Sequence, residues 1–123
     1  MNRPLRVAVV DDNDDIRALV ALHLTLDERF EFVGEARDGM EAIALLDRDD
    51  IDAIVLDMHM PCVAGPQVLR AFMKSAPNIR VVAFSADTQT LLQAGREGAD
   101  ATIAKGDNLD ALLDALLRVP AVA

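Results

Sequence analysis

Five short apolar runs, each followed by a stretch with helical periodicity, constrain this chain more than any other feature of its sequence. The runs are Leu5 to Val10, Phe30 to Ala36, Ile51 to Leu56, Ile79 to Phe84 and Ala101 to Ala104. All are of strand length, and several are rich in Val and Ile, whose branched side chains suit a pleated surface. Val7 to Val10 and Ile54 to Leu56 are apolar at consecutive positions, the pattern of strands covered on both faces. Between the runs, apolar residues recur every three or four positions. The clearest stripe is Leu109, Leu112, Leu113, Leu116 and Leu117, following Asp107 or Asn108 as a cap. Others are Ile16, Leu19, Val20, His23 and Leu24; Met40, Ile43, Ala44 and Leu46; and Val68, Leu69 and Phe72. Thr88 to Glu97, with Leu91 and Leu92, is the least apolar. The order βαβαβαβαβα predicts a single (βα)5 α/β sandwich of three layers, with helices on both faces of a five-stranded parallel sheet.

The 123 residues suffice for one domain, expected over residues 1–119, with 120–123 as a C-terminal tail or the start of a linker behind a helix-stopping Pro120. No linker or repeat interrupts the pattern. With 21 acidic against 12 basic residues, the net charge of −9 repels polyphosphate and disfavours direct nucleic-acid binding by this chain. The lone cysteine, Cys62, excludes an internal disulfide and a cysteine-based zinc cluster, which fits a reducing compartment. The opening apolar run, ended by Asp11, has too little apolar length for a signal peptide, and no stretch approaches the roughly 20 apolar residues of a membrane span. The expectation is a cytoplasmic protein without membrane contact.

In open parallel sheets, sites form at the carboxyl ends of strands. Asp11 and Asp12 follow the first run, Asp57 the third, Ser85 the fourth and Lys105 the fifth. Each alone has a simpler reading as a solvated or capping residue. Together, three carboxylates at one edge would repel one another unless a cation sat among them. A hard cation such as Mg2+ takes carboxylates, waters and phosphate oxygens, so the set fits a Mg2+ and phosphoryl site. Lys105 then supplies a point charge for phosphoryl oxygens and Ser85 a hydrogen bond, with the small Ala86 leaving room for approach.

Val-Val-Asp-Asp-Asn at 9–13, Val-Leu-Asp-Met-His-Met-Pro at 55–61 with Gly65, Phe-Ser-Ala at 84–86 and Ala-Lys at 104–105 resemble the receiver domain of bacterial two-component response regulators. The resemblance covers essentially the whole chain. Phe32-Val-Gly-Glu-Ala-Arg-Asp-Gly39 and Glu97-Gly-Ala-Asp100 are most similar to receivers of the NarL/LuxR type. It implies a CheY-like, flavodoxin-like fold. It further implies that Asp57 is the phosphoacceptor, taking a phosphoryl group from a sensor histidine kinase or phosphotransfer protein. Mg2+ would be held by Asp12, by Asp11 largely through water, by Asp57 and by the backbone carbonyl of His59. Ser85 and Lys105 would assist. A homodimer and a downstream output domain or protein are further partners the resemblance allows, through the surface of helix four, strand five and helix five or that of helices one and five.

Two positions depart from the family pattern. Thr102 stands where strand five carries a switch aromatic, which leaves the form of the output open, and Gly106 replaces a proline common after the lysine. His59 and Asp87 flank the proposed site; an exposed loop residue and a helix cap are the simpler readings, and modulation of dephosphorylation the sharper one. His23 reads as packing or semi-exposed, Cys62 as inert, and Met58 and Met60 as packing. The alternative function is a pseudo-receiver serving as a phosphorylation-independent interaction module. A haloacid-dehalogenase-like phosphatase would carry an acid where His59 stands, and a flavodoxin-like nucleotide binder would need a Gly-rich loop after the first strand. The expected role is regulatory rather than enzymatic.

Overall fold

The computed structural model describes residues 3–60 and 63–118. Its elements alternate as the periodicity predicts: β1 (Leu5–Val10), α1 (Asp14–Leu26), β2 (Phe30–Ala36), α2 (Gly39–Ala44), β3 (Ala53–Asp57), α3 (Gly65–Ser75), β4 (Arg80–Ser85), α4 (Thr88–Arg96), β5 (Ala101–Ala104) and α5 (Leu109–Leu117). A 3-10 turn, Leu45–Asp47, extends α2. The strands form one parallel sheet in the order β2-β1-β3-β4-β5. Its order reverses at β1 and β3, which opens a crevice at their carboxyl ends.

Alternate strand residues feed two cores. Ala8, Val10, Ile54 and Leu56 pack with Phe72 and Leu69 on the side of α2, α3 and α4. Val7, Val9 and Val55 pack with Val20, Leu24, Leu112 and Leu116 on the side of α1 and α5. Both faces of β3 are therefore apolar because both are covered, and all five of its residues are buried. Removing a ring such as that of Phe72, fully buried, would cost about 3–5 kcal/mol.

Local chemistry sets the helix starts. Asn13 accepts from the amides of Asp15 and Ile16, Asp38 from Glu41, Asp87 from Gln89 and Asn108 from Asp110. Asn108, not Asp107, is thus the cap of α5, and each such cap contributes about 1 kcal/mol. The turn from α4 to β5 uses Gly98 at φ +108, a conformation in which a side chain would also strike Met73.

Several boundaries differ from the expectation. β3 begins at Ala53 rather than Ile51, and both β3 and β4 run one residue beyond their apolar runs, because the ladder pairs Asp57 with Phe84 and Ser85 with Ala104. Backbone hydrogen bonding, indifferent to side-chain polarity, sets those ends. Met40 and Leu19, placed on apolar stripes by spacing, are 63% and 47% exposed. α2 is too short to bury more than one narrow face, and α1 turns Val20 and Leu24 inward instead. No helix among the described residues is long and apolar enough to cross a membrane. Pro61, Cys62 and the proposed 120–123 tail lie outside the described residues.

Candidate functional site

The ends of β1, β3, β4 and β5 bring Asp11, Asp12, Asp57, Ser85 and Lys105 to one edge of the sheet. Asp57 is the last residue of β3, between β1 and β4, and its side chain is buried. Asp11 directly follows β1, is equally buried, and is tied to the neighbouring strand by its amide, which donates to the Ala36 carbonyl at 3.0 Å. Asp12 is exposed. One carboxylate oxygen from each of the three can be chosen so that all lie within 4.8 Å of one another.

The two buried acids are incompletely satisfied. Asp57 Oδ1 accepts from the His59 amide at 3.0 Å, and Asp11 Oδ1 from the Asn13 amide at 2.9 Å. The Oδ2 atoms of both are buried without a hydrogen-bond partner. Lys105 Nζ lies 3.0 Å from Asp11 Oδ2 and 3.3 Å from Asp57 Oδ1, so the approach to Asp11 is ionic rather than a directed hydrogen bond. A buried Asp57 oxygen with no partner, beside an Asp11 oxygen answered only by the Lys105 ammonium and in a set of three acids, is what a hard, oxygen-seeking divalent cation would satisfy, and the donor set therefore fits Mg2+.

Electrostatics follow from this geometry. Burial pushes the Asp57 carboxyl up to about 6; the His59 amide opposes this, the charge of Asp11 reinforces it, and Lys105 opposes it. At neutral pH Asp57 is still chiefly a carboxylate. Burial lowers the pKa of Lys105, but its two acid partners outweigh that and hold the ammonium above its ordinary value. It stays charged.

Ser85 is fully buried, and its hydroxyl oxygen accepts from the Asp87 amide at 3.1 Å. The main-chain amide of Lys105 donates to the Ser85 carbonyl at 2.9 Å, joining the fourth and fifth strand ends. Asp87 is the cap of α4 and also accepts from the Thr90 hydroxyl at 2.6 Å. That hydroxyl has spent its proton, so at 3.1 Å it accepts from His59 Nε2, which must carry the hydrogen. His59 is therefore more than a free loop residue: its amide holds Asp57 while its ring reaches the first turn of α4. Thr102 is exposed, with its methyl facing Gly95 of α4. No peptide among the described residues is cis, so the bond before Gly106 is trans.

Two residues of the site escape sequence reasoning. Thr90 gave no signal, because its partner lies 31 positions away. Arg17 had a faint one: a basic residue three positions after Asp14 in a helix that starts beside the paired acids. Its side chain bonds the Asp11 carbonyl. A cavity of about 480 Å3 between α3 and α4 is lined by His59 and Thr90 but by none of the three acids, which open directly to the surface at Asp12.

A parallel sheet of this order with an acid triad, a serine and a lysine at its carboxyl edge defines a receiver domain. The family model of the response regulator receiver domain matches residues 7–117, and the chain belongs to that family. It is 41% identical over 103 residues to a protein-glutamate methylesterase/protein-glutamine glutaminase of Pyrococcus horikoshii, covering 84% of this chain and 26% of that protein. It is 35% identical over 118 residues to the nitrate/nitrite response regulator protein NarP of Escherichia coli, covering 92% of this chain and 54% of that protein. The chain thus spans about a quarter to a half of these curated relatives. The crystal structure of the response regulator domain of Thermotoga maritima CheB superposes with a TM-score of 0.81 at 29% identity, covering 96% of this chain and all of that one. Family membership makes the chain a regulatory phosphoacceptor domain of two-component signalling.

Proposed function

We propose that this chain is a phosphorylation-dependent switch that accepts a phosphoryl group on Asp57 from the phosphohistidine of a sensor kinase or phosphotransfer protein. The observation that carries the reading is the buried Asp57 carboxylate, with one oxygen unpartnered, between two acids and a lysine. Asp11, Asp12, Asp57 and the carbonyl of His59 would hold Mg2+. When bound, the ion supplies positive charge opposite the phosphoryl oxygens.

The chain's own residues do the rest. Asp57 attacks phosphorus in line; an oxygen–phosphorus bond forms, and the donor's nitrogen–phosphorus bond breaks with its electron pair returning to the imidazole. The His59 amide orients the attacking carboxylate. Lys105 offsets charge on the transferred group, and Ser85, whose oxygen accepts from the Asp87 amide, donates its hydroxyl proton to the new phosphoryl oxygens. Hydrolysis of the acyl phosphate resets the switch.

Residues 1–119 form the regulatory domain on this reading, acting in the cytoplasm through an output domain or partner protein. The test is incubation with Mg2+ and acetyl phosphate, followed by intact mass. One added phosphoryl group that is absent from Asp57→Asn supports the switch. No adduct together with no Mg2+ affinity favours a phosphorylation-independent interaction module, and turnover of phosphate esters favours a hydrolase.

A further inference from the structure

Asp12 reaches solvent and makes no ion pair among the described residues, yet it must face Asp11 and Asp57 for three acids to act on one cation. Its placement therefore depends on the main chain of the turn between β1 and α1. That turn is held from the sheet by the Asp11 amide on Ala36, and from the helix by Asn13, whose carbonyl accepts the Arg17 amide at 3.0 Å. The 11–12 peptide itself has one side-chain clamp in view. Arg17 Nη1 donates to the Asp11 carbonyl at 2.8 Å.

The rest of the guanidinium is occupied so that it cannot swing away. Its Nε donates to Glu35 Oε1 at 2.6 Å, from the penultimate residue of β2, and its Nη2 to Asp14 Oδ1 at 2.7 Å, from the first residue of α1. The Arg17 side chain is 14% exposed, though both acid partners are open to solvent. Three donors in one rigid plane thus tie the residue after β1 to β2 and to α1. Because a peptide unit is planar, fixing its carbonyl also fixes the direction in which the chain enters Asp12. Two carboxylates more than match the charge of the guanidinium, so the clamp places no net positive charge beside the acids.

We infer that Arg17, steadied by Glu35, is a positioning residue that sets the Asp11–Asp12 turn for divalent-cation binding. The inference rests on the assignment of Asp11, Asp12 and Asp57 as the cation site. It has a sign that simple electrostatics does not share. Replacing a cation near a metal site with a neutral side chain strengthens cation binding by charge alone, whereas loss of the clamp weakens it.

The test is Mg2+ titration by calorimetry on the wild type, Arg17→Met and Arg17→Lys, with amide exchange at the turn in Arg17→Met and Glu35→Gln. Arg17→Met is expected to weaken Mg2+ binding by about 10-fold, the lower end of what loss of an orienting partner costs a metal site. Arg17→Lys, which keeps the charge but not the planar fork, is expected to fall on the same side. Glu35→Gln loses a carboxylate and so weakens cation binding by charge alone as well; it is read only by amide exchange at the turn, and Arg17→Lys carries the titration if Arg17→Met does not fold. In metal-free protein, amide exchange of Asp12 and Asn13 should accelerate in Arg17→Met and Glu35→Gln while that of Val55 and Leu56 does not. Unchanged or tighter Mg2+ binding by folded Arg17 variants, with unchanged exchange at the turn, overturns the role of Arg17 alone. A wild type that binds no Mg2+ overturns the cation-site assignment and this inference with it.

Discussion

Asp52 and Asp57 bracket the same buried strand and differ in almost everything else. Asp52, just before β3, accepts from the Arg6 amide at 2.8 Å and from Arg6 Nε and Nη2 at 3.1 Å each, with Arg3 beside it. Burial pushes its carboxyl up, but the bonds from Arg6 outweigh burial and hold it below the ordinary value. Asp57, at the other end, is buried more completely, shares its lysine with a second acid, and is pushed up to about 6. Identical side chains become a paired brace and a crowded, partly unpartnered carboxyl according to what the neighbouring strands place beside them. Asp52 is satisfied within the chain, whereas Asp57 keeps one buried oxygen without a partner.

The largest expected effect separates the two acids by chemistry. Asp57→Asn removes the adduct formed with acetyl phosphate entirely, while Asp52→Asn, if folded, retains it by intact mass. An adduct lost equally in both would break the distinction.

Next comes stability, where the substitutions are expected to have opposite signs. In metal-free buffer at pH 8, urea unfolding should show Asp52→Asn losing about 1–3 kcal/mol, since it weakens charged hydrogen bonds. Asp57→Asn should gain about 1–2 kcal/mol by relieving a buried, crowded charge. A loss in both would mean that Asp57 is already satisfied by its neighbours.

The same contrast has a pH dependence. Between an unfolded value of 3.8 and a folded value of about 6, folded Asp57 keeps a proton that the unfolded chain has released. Its contribution to stability is therefore favourable near pH 4 and fades as pH rises through 6. Asp52, with its folded value lowered, stabilises above 3.8 and loses that contribution as pH falls. Metal-free unfolding from pH 4 to 8 should show a decline through pH 6 that Asp57→Asn removes and Asp52→Asn does not.

The smallest effect concerns the bridge from the loop after β3 to α4. Thr90→Val removes both the acceptor for His59 Nε2 and the donor to Asp87. The expected stability loss is at most about 1 kcal/mol, because the contacts are exposed. The nitrogen resonances of the His59 ring should nevertheless move. Unchanged resonances would show the bridge to be unformed in solution.

Much of the fold could be read from residue pattern. Consecutive apolar residues at Val7 to Val10 and Ile54 to Leu56 required strands covered on both faces, and the alternating order required a parallel sheet. Those are statements about solvent exclusion, which residue type and spacing encode directly. Strand ends were less accessible: Asp57 and Ser85 belong to their strands because backbone ladders continue past the apolar run. The candidate site was visible as a set of strand-end residues, since parallel strands deliver their carboxyl ends to one edge. Their roles as phosphoacceptor and metal ligands remain the proposal that acetyl phosphate and Mg2+ test.

The sequence by itself determined the alternation, the two-sided burial of the sheet, the net charge of −9 and which chemically capable residues reach one edge. Only the tertiary structure decided who answers whose charge: Arg6 for Asp52, Lys105 divided between Asp11 and Asp57, Arg17 on the Asp11 carbonyl, and Thr90 between His59 and Asp87. Those pairings depend on positions of a few ångströms between distant segments. Packing of the two cores sets such distances, and one-dimensional periodicity does not carry them.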